Sequence, residues 1–557
     1  MKNMIRKGAV VFMSFVLLCS LFAGCGGGDD STGKTSDAAE TGTLDPVSTD
    51  NADISVQPQR GGIVTYSWYE LSPTFDPYGQ ASWTTYMWAN NAFENCLVRG
   101  DDGEVYPLVC EYEFADDGLS LKLWVRDGVC FSDGTPVTLD DVVASLKRAA
   151  SFTPRVQTVL WDLVSDYEIR DNVLTFNFSQ YNVGTFDIFC NSRPCYGAIM
   201  PKSVCEKYGD KLIDDPGDCI GTGPYKLVPE ESRAGVRYEF TRNDYYVPCE
   251  ASPDGNGLAS PRRQYLDGLV CIVNNDSSSQ LMSLMNGELD SLAQTDTKAY
   301  ETNLKAMGFG ADTYPSDGVY YLFFNCSEKR AVADINLRRA IAAVIDYDEL
   351  QYACRGDLYD AGITSPVNCG EAYDTDVFTT KEWNSVRQSN IDVAKKYLAK
   401  SNYKGETLIM ITDNSAVAAI FIEDLQAVGI NCERQSMNNN TMIAYANDGS
   451  LDWDMIIRSN PCSIYFPTEM SNTFYNNWHN ERGEELLALL DTVPVGSAES
   501  VGYWSELADL MAEEVPFVIF GDTKDFYIHA PGLHTNRQGG WRYWFNDWWE
   551  DPSAHTK

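Results

Sequence analysis

Histidine is scarce in this chain, with four in 557 residues (His479, His529, His534 and His555), and no two of them have the H-E-x-x-H spacing of a zinc hydrolase. None of the 16 cysteines forms a Cys-x-x-Cys pair, so a cysteine/histidine metal site is not expected. There is no Gly-x-Ser-x-Gly elbow. Positive charge is also short: 42 Lys and Arg stand against 80 Asp and Glu, a formal net charge of −38. A field of that sign repels phosphate and excludes a general nucleic-acid binder, while it favours solubility. Past residue 24 no apolar run reaches membrane-spanning length. Neither a metal site nor a cofactor is expected. At this acidity, neighbouring carboxylates alone do not argue for glycosidase chemistry.

What is present begins with a leader. Lys2, Arg6 and Lys7 precede an apolar or small stretch from Ala9 to Gly24, shorter than the ~20 residues that cross a bilayer. It ends in Leu21-Phe22-Ala23-Gly24-Cys25, which resembles a bacterial lipobox with Phe22 where Leu is commonest. The expectation is cleavage before Cys25, lipidation of that cysteine, and a membrane-anchored protein facing outside the cell. Loss of residues 1–24 removes three cations and no anion, moving the formal charge from −38 to −41. Setting aside Cys19 and Cys25 leaves 14 cysteines, an even set that permits disulfides in an exported chain and leaves their pairing open. Cys190 and Cys195 are near enough in sequence to close a small loop.

Residues 26 to about 60 are rich in Gly, Ser, Thr, Asp and Ala and read as a flexible tether. Beyond Gly61-Gly62 the texture changes. Ile63–Trp68, Ser120–Val125, Leu174–Phe178, Tyr238–Thr241 and Leu269–Val273 read as strands. Helical periodicity covers Leu139–Arg148, Leu281–Leu289, Ile335–Leu350, Ile391–Lys400, Ala416–Val428 and Val501–Glu513. Such intermingling predicts an α/β body. Gly221-Thr222-Gly223-Pro224 lacks the Lys-Ser/Thr of a phosphate loop and leads into a strand pattern, not a helix.

Ordered blocks carry a family resemblance. They include Pro73-Thr74-Phe75-Asp76-Pro77, Asp102-Gly103-Glu104-Val105-Tyr106-Pro107, Phe131-Ser132-Asp133-Gly134-Thr135-Pro136 and Asp140-Asp141-Val142. Further along come Ala198-Ile199-Met200-Pro201-Lys202, Gly221-Thr222-Gly223-Pro224-Tyr225, Tyr265-Leu266-Asp267, Asn286-Gly287-Glu288-Leu289-Asp290 and Trp453-Asp454-Met455. Over about residues 60–530 the chain resembles the extracellular solute-binding proteins of family 5, the peptide/nickel-binding group of ABC importers. The resemblance implies a periplasmic-binding-protein type II fold, two lobes joined by a hinge with an extra α/β subdomain. Its implied boundaries are leader 1–24, tether 25–60, lobe I 61–96 and 222–313, extra subdomain 97–221, lobe II 314–516, and a return to lobe I with an aromatic tail at 517–557. The implied partners are a small-molecule ligand and the permease subunits of an importer. A monomer that is not an enzyme is expected.

The resemblance also locates ligand contacts. Peptide-binding members pair an aspartate with the ligand's free amino group; here that position falls on Ser463, which cannot supply a carboxylate. A preceding pocket tryptophan falls on Asn460. Arg458 follows an apolar run and could offer its guanidinium to a ligand carboxylate or phosphate; the alternative is a surface or lobe–lobe salt bridge. Tyr66, Trp68 and Tyr69, on a strand that faces the cleft in relatives, are candidate lining residues, although strand alternation would send some of them into the core. Peptide is the first ligand class. An oligosaccharide, an opine-like compound or chelated nickel is the alternative, and a secreted hydrolase or a sensor lipoprotein that feeds no transporter is a further one.

Overall fold

The computed structural model describes residues 57–79, 83–100, 102–190, 194–294, 297–356, 358–360, 389–437, 441–442, 445, 452–461, 477–535 and 546–556. Cys25, the tether up to residue 56, and Ser463 lie outside them, as do Trp541, Tyr543, Trp544 and Phe545 of the aromatic tail. Val56–Lys557 forms one compact unit.

The chain enters through β1 (Ile63–Trp68), the six-residue strand expected from its β-branched and aromatic run. Helix α1 (Trp83–Ala92) follows, then a hairpin of β2 (Leu97–Arg99) and β3 (Val105–Pro107). A separate antiparallel sheet comes next, from β4 (Cys110–Phe114), β5 (Ser120–Val125), β6 (Val164–Arg170) and β7 (Val173–Phe178), in the order β4-β5-β7-β6. Helix α2 (Leu139–Phe152) lies between β5 and β6 in sequence. Thr138 begins it with a full capping box, its side chain accepting from Asp141 N while the Asp141 carboxylate accepts from Thr138 N at 2.8 Å.

The remaining strands build the large sheet. They are β8 (Tyr225–Leu227), β9 (Arg237–Arg242), β10 (Gly268–Val273), β11 (Ser291–Gln294), β12 (Gly310–Phe324), β13 (Tyr359–Asp360), β14 (Thr407–Ile411), β15 (Asn431–Gln435), β16 (Met455–Pro461) and β17 (Phe517–His529). Its eleven strands run β15-β14-β16-β12-β17-β11-β1-β10-β9-β8, with β13 added beside β17. The pair β18 (Leu533–His534) and β19 (Trp548–Trp549) closes the tail.

The acidic ends of several sequence blocks fasten this sheet. The buried Asp290 carboxylate accepts Thr65 N at 2.7 Å, tying β11 to β1. Asp267 accepts Gly62 N and pairs with Arg242. Asp454 is held in a two-pronged pair by Arg330 (3.1 and 2.7 Å) and accepts Ile409 N at 2.8 Å, joining β16 to β14. The tail closes over the start of β1: Trp549, fully buried, donates from Nε1 to Ile63 O at 3.2 Å and stacks on His555. A Cβ on Gly62, whose φ is +78°, would lie 2.5 Å from the Trp549 ring, so only glycine fits there.

Two helical expectations need correction. The pattern over Ile335–Leu350 is two helices, Ile335–Val344 and Tyr347–Arg355, because Asp346 turns out of the first and caps the second by accepting Glu349 N at 3.0 Å. The pattern over Leu281–Leu289 is a helix over Ser277–Met285, capped by Asp276 and ended at Asn286-Gly287, where Gly287 takes φ +73°.

The cap at Asp346 carries a pH dependence. Asp424, half-buried on the neighbouring helix, accepts Asp346 N at 3.1 Å. Burial pushes its carboxyl up to about 6, and Asp346, Glu349 and Glu423 push the same way. The native state therefore holds this proton more tightly than the unfolded chain, whose aspartates titrate near ~3.9. Stability from this site is complete below about pH 4 and is lost as pH rises through 6. Asp424→Asn should flatten that part of the stability profile and stabilise the protein at pH 7 by ~1 kcal/mol after allowance for solvent screening. Urea titrations of both proteins at pH 4 to 8 measure the difference.

Among the described residues Cys96, Cys110, Cys130, Cys190, Cys205, Cys219, Cys249, Cys326 and Cys432 carry free thiols, most of them buried.

Candidate functional site

The register of the large sheet brings one place together. Strands β12 and β17 form a long antiparallel ribbon, paired from Gly310↔His529 to Phe323↔Phe517. Its pairing slips between Pro315 and Val319 and again between Tyr320 and Tyr321. On one side of the slip, β17 pairs with β11, up to Gln294↔Phe526. Strand β1 runs parallel to both β11 and β10, so the C-terminal ends of all three point the same way, toward the slip. Beyond β11, Tyr359 and Asp360 of β13 pair with Thr523 and Asp522. On the other side, β16 pairs with β12 from Met455↔Phe324 to Pro461↔Gly318. It runs parallel to β14, which runs parallel to β15. Two groups of parallel strands thus aim their carboxyl ends at the slipped segment of the ribbon. Ligands of open α/β sheets sit at such ends.

The residues singled out from the sequence fall around this place at different depths. Tyr66 is fully buried in the core on the β1 side. Trp68, at the end of β1, is partly buried, and its ring is 5.1 Å from that of Tyr69, which is 49% exposed. Arg458 lies half-buried on β16 opposite Tyr321. Asn460 is opposite Val319 at the slip itself, on backbone register. Ser463 lies outside the described residues. Tyr314 and Tyr320, half-buried on β12, bracket the slip, and Tyr314 packs on Tyr527 at 6.2 Å. The sequence reading did not name them; the only signal was their place either side of Pro315 to Gly318.

Buried acidic side chains near the start of the chain's folded part serve the scaffold. Asp76 pairs with Arg148 and Glu94 with Arg262 at 2.9 Å, all four buried. Burial raises the Glu94 carboxyl against the lowering effect of Arg262 and Arg126. Among the described residues no group of three or more His, Cys, Asp and Glu is placed to hold a metal ion. No described helix is long and apolar enough to cross a membrane.

A two-part sheet joined by a ribbon, with strand ends converging on it, is the architecture of a periplasmic binding protein. The model of the bacterial extracellular solute-binding proteins, family 5, matches residues 104–482, and the chain belongs to that family. The family expected from the sequence blocks is thus the one found, and so is the fold class. A probable peptide ABC transporter periplasmic-binding protein of Sinorhizobium fredii is 23% identical over 371 residues, covering 64% of this chain and 67% of that protein. The oligopeptide-binding protein AppA of Bacillus subtilis, solved with a nonapeptide, superposes with a TM-score of 0.70 at 17% identity, covering 88% of this chain and all of that one. NikA of Staphylococcus aureus, solved with Ni(L-His)2, gives a TM-score of 0.67 at 16% identity, covering 85% of this chain and 96% of that one.

Proposed function

We propose that this protein is an extracytoplasmic lipoprotein that captures a short peptide at the ribbon and delivers it to an ABC-type permease. The observation that carries the reading is the convergence of the carboxyl ends of β1, β10, β11, β14 and β16 on the slipped segment of the β12–β17 ribbon. In this reading the ribbon is the hinge. The strands beside β1 belong to lobe I and those beside β16 to lobe II, with 97–221 as the extra subdomain. Contacts from both sides draw the lobes together, since a ligand shifts a two-state body by its differential affinity for the closed form. Trp68 and Tyr69 would give apolar area on one side and Arg458 a charged contact on the other. Cys25 is the lipid anchor and residues 26–60 the tether.

Peptide capture is supported by the naming of the Sinorhizobium relative and by the AppA complex. With Ser463 at the place of the family's aspartate, a peptide would be held without a carboxylate for its free amino group. Chelated nickel is the second reading, favoured by the likeness to NikA.

A thermal-shift screen of the protein against short peptides with free or acetylated amino termini, oligosaccharides and nickel–histidine tests these readings. A true ligand at 100 times its Kd adds roughly 2.7 kcal/mol of stability. Equal stabilisation by free and acetylated peptides is the expected result. A response to nickel–histidine or sugar with none to peptide would overturn the peptide assignment.

A further inference from the structure

Thiol chemistry is unused by the reading above, and one pair of cysteines stands apart from the others. Cys96 leads into β2 and Cys110 opens β4, so the two close the base of the β2–β3 hairpin. The hairpin register, Leu97↔Pro107 to Arg99↔Val105, fixes how the two ends return to one another. The Cys96 carbonyl then accepts three successive backbone donors: Leu108 N and Val109 N at 3.1 Å and Cys110 N at 3.0 Å. A direct hydrogen bond from Cys110 N to Cys96 O places the two α-carbons within the span a disulfide bridges. Both residues are almost wholly buried, at 1% and 0% exposure.

We propose that Cys96 and Cys110 are a redox pair that closes to a disulfide in an oxidising compartment, locking the β2–β3 hairpin onto the head of the four-stranded sheet. The step is thiol–disulfide exchange with a small or protein disulfide. Each cysteine gives up a proton and the pair gives up two electrons. One S–S bond forms between Cys96 and Cys110, the S–S bond of the acceptor breaks, and the acceptor leaves as two thiols. The neighbouring Cys96 thiol and burial hold the Cys110 thiol well above its ordinary range, so little of the reactive thiolate is present in the folded, reduced protein. The bond therefore forms while the chain is folding or locally open, and once formed it is shielded from reductants. The hairpin it closes touches a distant loop through the Asp102 carboxylate, which takes a hydrogen bond from Asn256 Nδ2 at 3.1 Å. Locking its base fixes that contact as well.

The sequence offers a clean assay. Trypsin cuts after Arg60, Arg99 and Lys122, so Cys96 and Cys110 are the sole cysteines of peptides 61–99 and 100–122. The protein is incubated with oxidised and reduced glutathione in mild urea, denatured in iodoacetamide without reductant, and digested. The expected result is a linked 61–99/100–122 species that is lost on reduction. Recovery of both peptides singly alkylated, or linked to other cysteines, would overturn the proposal. The Tm gives a second reading: the oxidised protein should melt several degrees above the reduced one. That difference should vanish in the Cys96→Ala/Cys110→Ala variant; if it persists there, the pairing lies elsewhere.

Discussion

Replacing Arg148 by methionine should lower the free energy of unfolding by about 3–5 kcal/mol, because it leaves a carboxylate in the core without its cation. Arg148 and Asp76 are both almost fully buried. One guanidinium nitrogen bonds Asp76 Oδ1 at 3.1 Å, and the other bonds Asp76 Oδ2 and the Lys211 carbonyl, the latter at 2.7 Å. Asp76 also accepts Tyr78 N at 2.9 Å and Ile213 N at 3.0 Å. Three stretches of chain, at 76–78, 148 and 211–213, therefore meet at one ion pair. The guanidinium is stacked between Tyr78 and Phe152, 5.2 and 4.8 Å from their ring centres, so the loss includes packing and a cation–π contact. The reciprocal change Asp76→Asn is the informative partner. Combined with Arg148→Met it removes both charges together, and the double variant should recover part of the loss, since a buried pair costs most when only one member is removed. Urea unfolding of the two single variants and the double variant forms the cycle. If Arg148→Met alone lowers stability by less than 1 kcal/mol, the pair is not desolvated and its place in the core is wrong.

That ion pair also marks how far the sequence could be read. Asp76 was visible as part of a Pro-Thr-Phe-Asp-Pro block, but its partner is 72 residues away and nothing in the block names it. Strand β1 and helix α2 were legible because each announces itself locally, β1 by its β-branched run and α2 by its acidic first turn. The break at Asp346 was not, because the apolar spacing continues across it and only the cap reveals the turn. The candidate site was the least legible feature. Trp68 lies at the end of one strand and Asn460 at the end of another almost four hundred residues later. What relates them is the register of a ribbon whose two strands are themselves far apart in sequence. Pairing between strands that distant leaves no local periodicity to read. The resemblance pointed to Asn460 and Ser463, and the apolar run before it to Arg458, whereas Tyr314 and Tyr320 needed the ribbon.

The second large effect is expected at Gly221 and Gly223. A glycine-rich turn before a strand invites a ligand explanation, but here the glycines answer to the protein's own backbone. Gly223 N donates to Ala92 O at 2.9 Å, satisfying a carbonyl left over at the end of α1. Gly221 O accepts Ser132 N at 2.8 Å, and Gly223 O accepts Asn243 Nδ2 at 2.8 Å. The turn is pressed so closely on α1 that a Cβ on Gly221 would lie 2.2 Å from Ala92 O. One on Gly223 would lie 2.6 Å from both Ala92 C and Asn91 O. These are main-chain atoms at a helix end, and no rotamer change moves them aside. Each alanine substitution must push the turn off the helix, breaking the bond to Ala92, so a loss of about 1–3 kcal/mol or more is expected, larger at Gly221. Gly502 supplies the contrast. It lies within the helix Ala498–Glu514 with open space where a Cβ would go. Gly502→Ala should instead stabilise by up to ~1 kcal/mol through helix propensity alone. The same chemical change is therefore expected to have opposite signs at the two places, read by the shift in urea midpoint. Tolerance of alanine at Gly223 would mean that the turn does not rest on α1 and that its glycines are kept for something else.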